Sequence, residues 1–260
     1  MNKHYLSFLI GFVAAGCMVF FIMHYQSRAA GKVWAVGEVI GVREAVEKRL
    51  KETSQDITAR LAAFGREVAA DQLFSLRLIA ENNPSAPEVA GKAGQFMGPM
   101  GLSLLEIVDS TATILSSGHF PASRGDLIPE KFSEVSGEPK MVDDNVAGKK
   151  TLTLQAKASF TVADGIVFYA MGGVVMDEEF LSRLSPLPDV KVLLRRGAAV
   201  TGMQDVRTIS AVKDDKVYIN DKQYSAFQIL PDFAGEGDVP ELIVVLMKEE
   251  PDSLRPLSAP

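Results

Sequence analysis

The sequence predicts an α+β protein in which a helical N-terminal part precedes two sets of β-strands. Two observations lead to this class. Apolar residues recur at helical spacing through a stretch without proline, from about Ala30 to Asn82. Beyond Gly101, short apolar runs alternate with turn-forming residues, which is the pattern of antiparallel strands. With 260 residues, the chain is long enough for one or two domains in addition to a membrane anchor.

Composition excludes several kinds of site. The net charge is −6 and the pI is about 5.2, so the chain lacks the basic character of a nucleic-acid-binding protein. The single cysteine, Cys17, excludes an intrachain disulfide. Three histidines, His4, His24 and His119, are too few and too scattered for a histidine metal cluster, although an all-carboxylate site stays open. We therefore expect no cofactor.

Residues 1–25 are predicted to form a cytoplasmic leader and a single membrane anchor. The run from Tyr5 to Met23, YLSFLIGFVAAGCMVFFIM, contains no charge and as a helix spans roughly 28 Å, close to the thickness of a bilayer's hydrocarbon core. The short leader before a large domain favours a cytoplasmic N-terminus and an external domain. A cleaved signal peptide and a lipoprotein modified at Cys17 are the alternatives. Apolar residues continue beyond Cys17, which disfavours the lipoprotein.

Residues 26–84 are predicted to form one long stalk helix, which Asn82-Asn83-Pro84 ends. A row of apolar residues at seven-residue spacing runs along it, interrupted at Arg43 and Asp71. Its members are Val36, Leu50, Ile57, Phe64 and Leu78. Such a row beside a membrane anchor is typical of a coiled coil that joins two copies of the chain into a homodimer. It also fits an amphipathic helix packed on its own domain, and both interpretations stay open.

Residues 85–184 are predicted to form a domain with an antiparallel sheet. A short helical segment comes first, and the stretch from Leu102 to Asp126 then contains a strand (LSLLEIVD), a polar turn (STAT) and a second strand (ILSS). An irregular, polar middle is expected from Asp126 to Lys149, followed by two further strands, TLTLQAKASF and IVFYAMGGVVM. The segment DEEFLSRL has the acidic first turn of a short helix.

Residues 185–260 are predicted to form a second, smaller subdomain, because Ser185-Pro186-Leu187-Pro188 indicates a boundary. Its predicted strands are VKVLLRR, KVYIN, YSAFQIL and PELIVVLMK, separated by turns that contain glycine and aspartate. No long helical pattern appears in this part of the sequence. We therefore expect it to be poorer in helix than the first domain.

The hairpin also carries a resemblance to a known family. Its form, Leu-Glu-Ile-Val-Asp, four turn residues, then Ile-Leu-Ser-Ser-Gly-His-Phe-Pro, resembles the opening hairpin of PAS-like Cache sensor domains. Those domains lie outside the membrane in bacterial histidine kinases, chemoreceptors and related receptors. The resemblance implies a single-pass protein of the bacterial inner membrane with a periplasmic or extracellular domain of double-Cache type. It also implies a small molecule or a periplasmic protein as ligand.

In the Cache family, ligands lie between the sheet and the loops that cross it. This position and the residue types give three candidate ligand-binding residues: Arg124 and Asp126 in the loop after the hairpin, and Tyr169 on a central strand. The Arg-x-Trp-Tyr element of the amino-acid-binding subgroup is absent from the sequence, which counts against an amino-acid ligand. No catalytic motif is present, and we expect no enzymatic activity from this chain.

We therefore expect a ligand-sensing input module of a membrane receptor, most simply of histidine-kinase type, that signals through a dimeric stalk helix. The kinase output would belong to a longer receptor or to a partner protein. The alternative is a bitopic inner-membrane scaffold of a pilus or secretion machine, which shares the order of leader, anchor, coiled coil and small α+β domain. The scaffold does not account for the hairpin and the two successive sets of strands.

Overall fold

The computed structural model of this chain describes residues 40–203, 206, 209–210, 212–213, 215–234 and 238–247. The chain forms two units, Met1–Ala45 and Val46–Pro260. Residues 40–45 are the described part of the first unit and are helical. The anchor predicted between Tyr5 and Met23 lies outside the described residues, and none of the described helices is long and apolar enough to cross a membrane.

Helices come first in the second unit. In chain order they are α1 (residues 46–70), α2 (Gln72–Ser75, extended by a π-helical turn over Leu76–Ala80), α3 (Pro87–Ala90) and α4 (Lys92–Met97). Asp71 begins α2 as its N-cap, because its Oδ1 accepts hydrogen bonds from the backbone N–H groups of Leu73 and Phe74. The run ends ahead of Pro84, whose ring cannot continue a helix.

One side of α1 is apolar and is buried within its own domain. The buried residues are Val46, Ile57, Leu61, Phe64 and Val68. Two of them, Ile57 and Phe64, belong to the seven-residue row found in the sequence. Phe64 contacts Phe96 of α4 edge-on, with 5.4 Å between the ring centroids. At Ile57 and Phe64 the row therefore packs on the chain's own domain, and the homodimer stays a prediction.

The first sheet contains the predicted hairpin. Its strands are β1 (Leu104–Val108), β2 (Ile114–Ser117), β3 (Lys140–Val146), β4 (Lys149–Thr161), β5 (Val167–Val175) and the two-residue β10 (Phe233–Ala234). Their order is β10-β3-β4-β5-β1-β2, antiparallel except between β10 and β3. In the β1–β2 turn, Asp109 Oδ1 accepts hydrogen bonds from the backbone N–H groups of Thr111 and Thr113. These bonds fix the turn that the sequence predicts.

The chain between β2 and β3, residues 118–139, crosses one side of this sheet, and we call it the cap. It contains a 3-10 turn (Pro121–Ser123) and one short helix, α5 (Pro129–Glu134). The prediction of an irregular middle from Asp126 to Lys149 is wrong, because α5 and β3 lie within it. Both are hard to recognise: α5 has only six residues, and β3 (KMVDDNV) has three consecutive polar residues.

The second sheet follows α6 (Glu178–Leu184), whose N-cap Asp177 accepts a hydrogen bond from Phe180 N. Its strands are β6 (Val190–Arg196), β7 (Ala199–Thr201), β8 (Lys216–Ile219), β9 (Lys222–Ile229) and β11 (Glu241–Leu246). They are antiparallel, in the order β7-β6-β11-β9-β8. The predicted short helix and the four predicted strands of this part are confirmed.

Among the described residues, several contacts connect the second sheet and its leading helix to the rest of the unit. β10 pairs with β3 of the first sheet. Arg196, at the end of β6, forms a bidentate ion pair with Asp143 of β3, with N–O distances of 2.5 and 2.8 Å. Arg49 of α1 donates hydrogen bonds to the backbone oxygens of Arg183 and Ser185 at the end of α6. β3 and α1 therefore both contact the second half of the chain.

Candidate functional site

The two sides of the first sheet are covered by different parts of the chain. Helices cover one side: a side chain added at Gly172 of β5 would meet Leu61 of α1, and the Ser116 hydroxyl of β2 donates to the backbone oxygen of Ala90. The cap covers the other side. An apolar cluster attaches the cap there, formed by Val108, Ile114, Val135, Val142 and Met171, with Ile128 and Phe132 packed against it.

Charged and polar side chains converge on this second side, and we call them the cap-side cluster. They are Glu106 on β1, His119 and Lys131 in the cap, Asp144 on β3 and Gln155 on β4. The Lys131 ammonium group donates hydrogen bonds to Glu106 Oε2 at 3.0 Å and to Asp144 Oδ2 at 2.6 Å. Bonds between two charged groups are roughly twice as strong as neutral ones, so Lys131 ties the cap to two strands.

Gln155 and His119 complete the cluster. Gln155 Nε2 donates to Asp144 Oδ2 at 2.7 Å and to Thr153 Oγ1 at 2.8 Å, while Gln155 Oε1 is buried without a hydrogen-bond partner. His119 Nε2 lies 3.6 Å from Glu106 Oε1 and 4.0 Å from Asp144 Oδ2. A buried acceptor that is left unpaired costs about 1–3 kcal/mol, so the orphaned amide oxygen requires an explanation.

The cluster is almost closed to solvent. The exposed fraction of the side chain is 2% for His119, 3% for Glu106, 12% for Asp144 and 16% for Lys131. Burial lowers the pKa of His119, although the two carboxylates act against it, so the imidazole is neutral at pH 7. Burial also acts to lower the pKa of Lys131, but the carboxylates outweigh it and raise that pKa. Lys131 likewise outweighs burial at Asp144 and lowers the pKa of its carboxyl group.

An aromatic pair lies farther along the same side of the sheet. Phe132 of α5 meets Tyr169 of β5 edge-on, with 4.8 Å between the ring centroids. Lys157 of β4 places its ammonium group 3.8 Å from the centroid of the Phe132 ring and donates a hydrogen bond to the backbone oxygen of Phe132. Burial lowers the pKa of Lys157. Two lysines, one from the cap and one from the sheet, therefore hold α5 in place.

The structure places one of the three sequence-predicted residues on this side of the sheet. Tyr169 is half-buried there and contacts Phe132. Arg124 and Asp126 lie in the cap with exposed side chains, and the backbone oxygen of Asp126 accepts a hydrogen bond from Ile114 N at 3.0 Å. A role in ligand binding stays a prediction for all three residues.

The residues of the cap-side cluster were not among the sequence candidates, although one signal was present. Glu106 is a charge within the apolar run LLEIV, and such a residue in a buried strand is unusual. Gln155 gives no comparable signal, because it occupies a polar position of an alternating strand, and such positions usually face solvent. Only the structure shows that the cap covers them.

The arrangement is suited to binding rather than to metal chemistry. Within the described ranges, no group of three or more His, Cys, Asp or Glu side chains could hold a metal ion. The two carboxylates are already engaged by Lys131. Fixed acceptors on three strands and donors on a short covering segment are the elements of a closed site for a small polar ligand.

Comparisons with known proteins concern the fold. No family model matches the chain, and no curated protein matches it. The periplasmic domain of Vibrio cholerae LuxQ is similar in structure, with a TM-score of 0.51 and 12% identity over 82% of this chain and 100% of that one. The sensory domain of the Campylobacter jejuni chemoreceptor Tlp3, with isoleucine bound, has a TM-score of 0.51 and 7% identity over 81% of this chain and 91% of that one.

The chain has the fold of these sensor domains. A second Tlp3 structure, its ligand-binding domain in complex with 4-methylisoleucine, agrees, with a TM-score of 0.50 and 10% identity over 80% of this chain and 88% of that one. The resemblance to PAS-like Cache sensor domains and the α+β class with two successive sheets are therefore confirmed as statements about the fold.

Proposed function

We propose that this chain is the extracytoplasmic input module of a bacterial membrane receptor and that it senses a small polar ligand beneath the cap of its first sheet. The observation that carries this proposal is the cap-side cluster. It buries two carboxylates, an ammonium group and an imidazole in a domain that has the fold of known sensor domains. Buried ionisable groups with shifted pKa values, such as His119, Lys131 and Asp144, concentrate at functional sites.

The cap is the part that responds to the ligand. α5 is a short helix whose Glu130, Ser133 and Glu134 are exposed, so one side of it faces solvent. On the other side it is held by Lys131 and by the contact between Phe132 and Lys157. A ligand that enters beneath the cap must rearrange these bonds, because the side chains that form them occupy the space between the cap and the sheet.

β3 carries the change onward. Asp144 belongs to the cap-side cluster, and the neighbouring Asp143 points to the opposite side of the same strand and pairs with Arg196 of the second sheet. A displacement of β3 caused by the ligand can therefore reach the second sheet through this ion pair, in addition to the pairing of β3 with β10. Arg49 links α1 to the segment between the sheets, which gives the stalk a contact with the same region.

The membrane anchor and the homodimer belong to this proposal. Residues 1–25 hold the chain in the inner membrane, and two copies associate along the stalk. The side of α1 that does not pack on the sheet supports this assignment, because it borders a groove whose lining includes Leu50, Ala59 and Ala62 of α1 together with Gly137 and Pro139. The ligand signal then changes how the two stalk helices pack against each other.

A ligand screen tests the proposed function. The full chain in lipid nanodiscs is heated with members of a library of small metabolites while unfolding is followed by circular dichroism. A ligand present at a hundred times its dissociation constant adds roughly 2.7 kcal/mol to the free energy of unfolding. We expect such a stabilisation in the wild type and its loss in Gln155→Leu.

The same screen separates the cluster from the sequence-predicted residues. Two pairs of variants are compared. Gln155→Leu and Glu106→Gln alter the cap-side cluster, and Arg124→Ala and Tyr169→Ala alter the residues predicted from the sequence. A ligand effect that survives Gln155→Leu and Glu106→Gln but disappears in Arg124→Ala would move the site to the exposed part of the cap. Absence of any stabilising metabolite would count against small-molecule sensing and in favour of a protein ligand.

A further inference from the structure

We propose that Lys131 is a built-in occupant of an ammonium subsite, and that the ligand binds by placing its own primary ammonium group between Glu106, Asp144 and Gln155. This inference rests on the proposed sensory function and names the chemical class of the ligand. A ligand that replaces Lys131 also releases the bond that ties α5 to the sheet, so recognition and cap movement are the same event.

The cluster contains one buried acceptor that Lys131 does not reach. An ammonium group has three N–H donors. Lys131 directs its group to Glu106 Oε2 and Asp144 Oδ2, and Gln155 Oε1 remains a buried acceptor without a partner. That oxygen belongs to the same amide group whose Nε2 contacts Asp144, so it lies at the edge of the subsite. Lys131 leaves this oxygen without a donor, and a free ammonium ligand, which is not constrained by the backbone of α5, can direct an N–H group toward it.

Charge also selects a cation. Glu106 and Asp144 carry two negative charges, and Lys131 balances one of them. Burial holds the pKa of His119 low, so the neighbouring imidazole adds no second positive charge at pH 7. An anionic ligand group at this position would face two buried carboxylates, and like charges at short range in a poorly solvated site repel strongly.

Two of the three acceptors, on Glu106 and Gln155, are held in place by the sheet, and the lysine is the movable part. Glu106 lies on β1, which pairs with strands on both sides, and Gln155 lies on β4, which also pairs on both sides. Lys131 lies on the short helix α5, and its flexible stem allows the ammonium group to leave without disturbing the sheet. The subsite is therefore preformed, which lowers the entropic cost of binding a ligand there.

Chemical rescue tests this inference. In Lys131→Ala the removed atoms correspond to n-propylammonium, which is the probe. The full chain in lipid nanodiscs is titrated with n-propylammonium chloride, and the unfolding temperature is followed by circular dichroism. We expect a saturable rise of roughly 5–10 °C at a hundred times the dissociation constant. 1-Propanol, which lacks the charge, and tetramethylammonium, which lacks N–H donors, should produce no saturable rise.

Two variants control the experiment. Lys157→Ala removes a lysine from the same side of the sheet, but one that contacts aromatic rings rather than carboxylates, so the amine should not rescue it. The double variant Lys131→Ala with Glu106→Gln should lose most of the rescue. Should Lys131→Ala fail to fold, the amine is added during refolding, and the folded yield becomes the readout. Absence of a saturable, N–H-dependent rescue in either format overturns the proposal.

The wild-type screen separates this inference from the proposed function. Stabilisation by simple primary amines or by α-amino acids supports the ammonium subsite. The class of compound that stabilises the protein more strongly shows whether the ligand is a simple amine or an amino acid. Stabilisation by carboxylates, phosphates or neutral sugars, with no effect of amines, would leave the sensor intact and overturn the ammonium subsite.

Discussion

The two sheets share an antiparallel architecture but differ in what they bury. Among the described residues, those that are buried and polar or charged all lie in the first sheet, its helices or its cap: Lys92, Glu106, Ser116, Ser117, Ser123, Thr153 and Gln155. The core of the second sheet consists of hydrophobic residues: Leu193, Val217, Ile219, Tyr224, Ala226, Ile243 and Val245. The second sheet has an ion pair as well, between Arg195 and Glu241, but Glu241 is 27% exposed, whereas Glu106 of the first sheet is only 3% exposed. The deeper burial of charge in the first sheet indicates a role beyond folding.

The energetic reason is the cost of removing a charge from water. Each apolar side chain buried in the second sheet contributes roughly 1.5–3 kcal/mol to stability. A buried ion pair contributes little compared with apolar residues of the same volume, because desolvation offsets the attraction between the charges. The first sheet therefore gains no stability from Glu106, Lys131 and Asp144 that apolar side chains could not supply. Binding is the property that we propose these groups add.

Of the substitutions that test this difference between the sheets, Lys131→Ala is expected to change the free energy of unfolding most. It leaves Glu106 and Asp144 buried without their cation, and we expect the free energy of unfolding to fall by about 3–5 kcal/mol at pH 7. Urea denaturation measures the change. Lys150→Ala is the matched control: this lysine also lies near a carboxylate, Asp143, but its side chain is 76% exposed, so its loss should change stability by about 0.5 kcal/mol or less. Equal effects of the two substitutions would contradict a special role for the cap-side cluster.

The next effect separates stability from binding. Ile243→Ala removes a fully buried side chain from the second sheet and should cost about 2–5 kcal/mol while leaving ligand affinity unchanged. Gln155→Leu in the first sheet should do the reverse. It removes two hydrogen bonds donated by Nε2 but also an unpaired amide oxygen, so the two effects offset each other and stability should change by about 1 kcal/mol or less, while binding should be abolished. Calorimetric titration with the ligand found in the screen measures the affinity of both variants. A loss of affinity in Ile243→Ala would contradict the view that only the first sheet binds the ligand.

The same contrast explains how far the sequence predicts the fold. Four of the five strands of the second sheet are readily predicted, because each is a short apolar run between turn formers. The fifth, β7, is missed, because it has only three residues and none of them is buried. In the first sheet, β1, β2, β4 and β5 are predicted for the same reason. β3 and α5 are missed, since β3 has three consecutive polar residues and α5 is too short to show a helical period. These two elements carry Asp144 and Lys131, so two of the five residues of the cap-side cluster lie where hydrophobic patterns are weakest.

The candidate site is less predictable from sequence than the fold. Arg124, Asp126 and Tyr169 can be proposed because their residue types suit a ligand and their positions follow the hairpin. Glu106 and Gln155 come from distant points of the chain, and only strand order and register bring them to one side of the sheet. Burial of a polar residue depends on what covers it, and the sequence does not show that residues 118–139 cover this side.

A smaller effect is expected where the two sheets meet. Arg196 binds Asp143 through two N–O contacts and lies 5.3 Å from the Phe233 ring centroid, and it lowers the pKa of Asp143 against the effect of burial. We expect Arg196→Ala to cost about 1–3 kcal/mol, because the mostly buried Asp143 carboxylate loses its main partner. Arg196→Lys should recover only part of this, since lysine cannot make the bidentate contact.

Arg196→Ala also tests whether ligand binding at the first sheet reaches the second. Hydrogen exchange of the β6 and β11 amides is compared with and without ligand in the wild type and in the variant. If β3 transmits the change through Asp143, the ligand should alter exchange in β6 and β11 of the wild type but not of Arg196→Ala. A ligand response of equal size in both proteins would exclude this ion pair as the connection.

The smallest effect is a dependence of stability on pH that originates in the first sheet. His119 has a folded-state pKa below its ordinary value of 6.5, chiefly because of burial. As the pH falls below 6.5, the unfolded chain therefore binds a proton that the folded chain does not, and stability decreases. The carboxyl group of Asp144, whose pKa is also lowered, contributes stability that is lost only as the pH falls below its ordinary value of 3.8. The two groups thus act in separate windows, and the interval between pH 6.5 and about pH 5 reports on His119.

Unfolding temperatures measured between pH 7.5 and pH 5 test this origin. We expect the wild type to lose stability toward pH 5 by less than about 1.4 kcal/mol per pH unit, the limit for one proton. In His119→Asn most of this slope should disappear, because asparagine does not titrate. Ile243→Ala should retain the full slope at a lower overall stability, since it alters only the apolar core of the second sheet. If the slope persists in His119→Asn, the group that titrates is not His119. The pH dependence of stability would then not originate in the cap-side cluster of the first sheet.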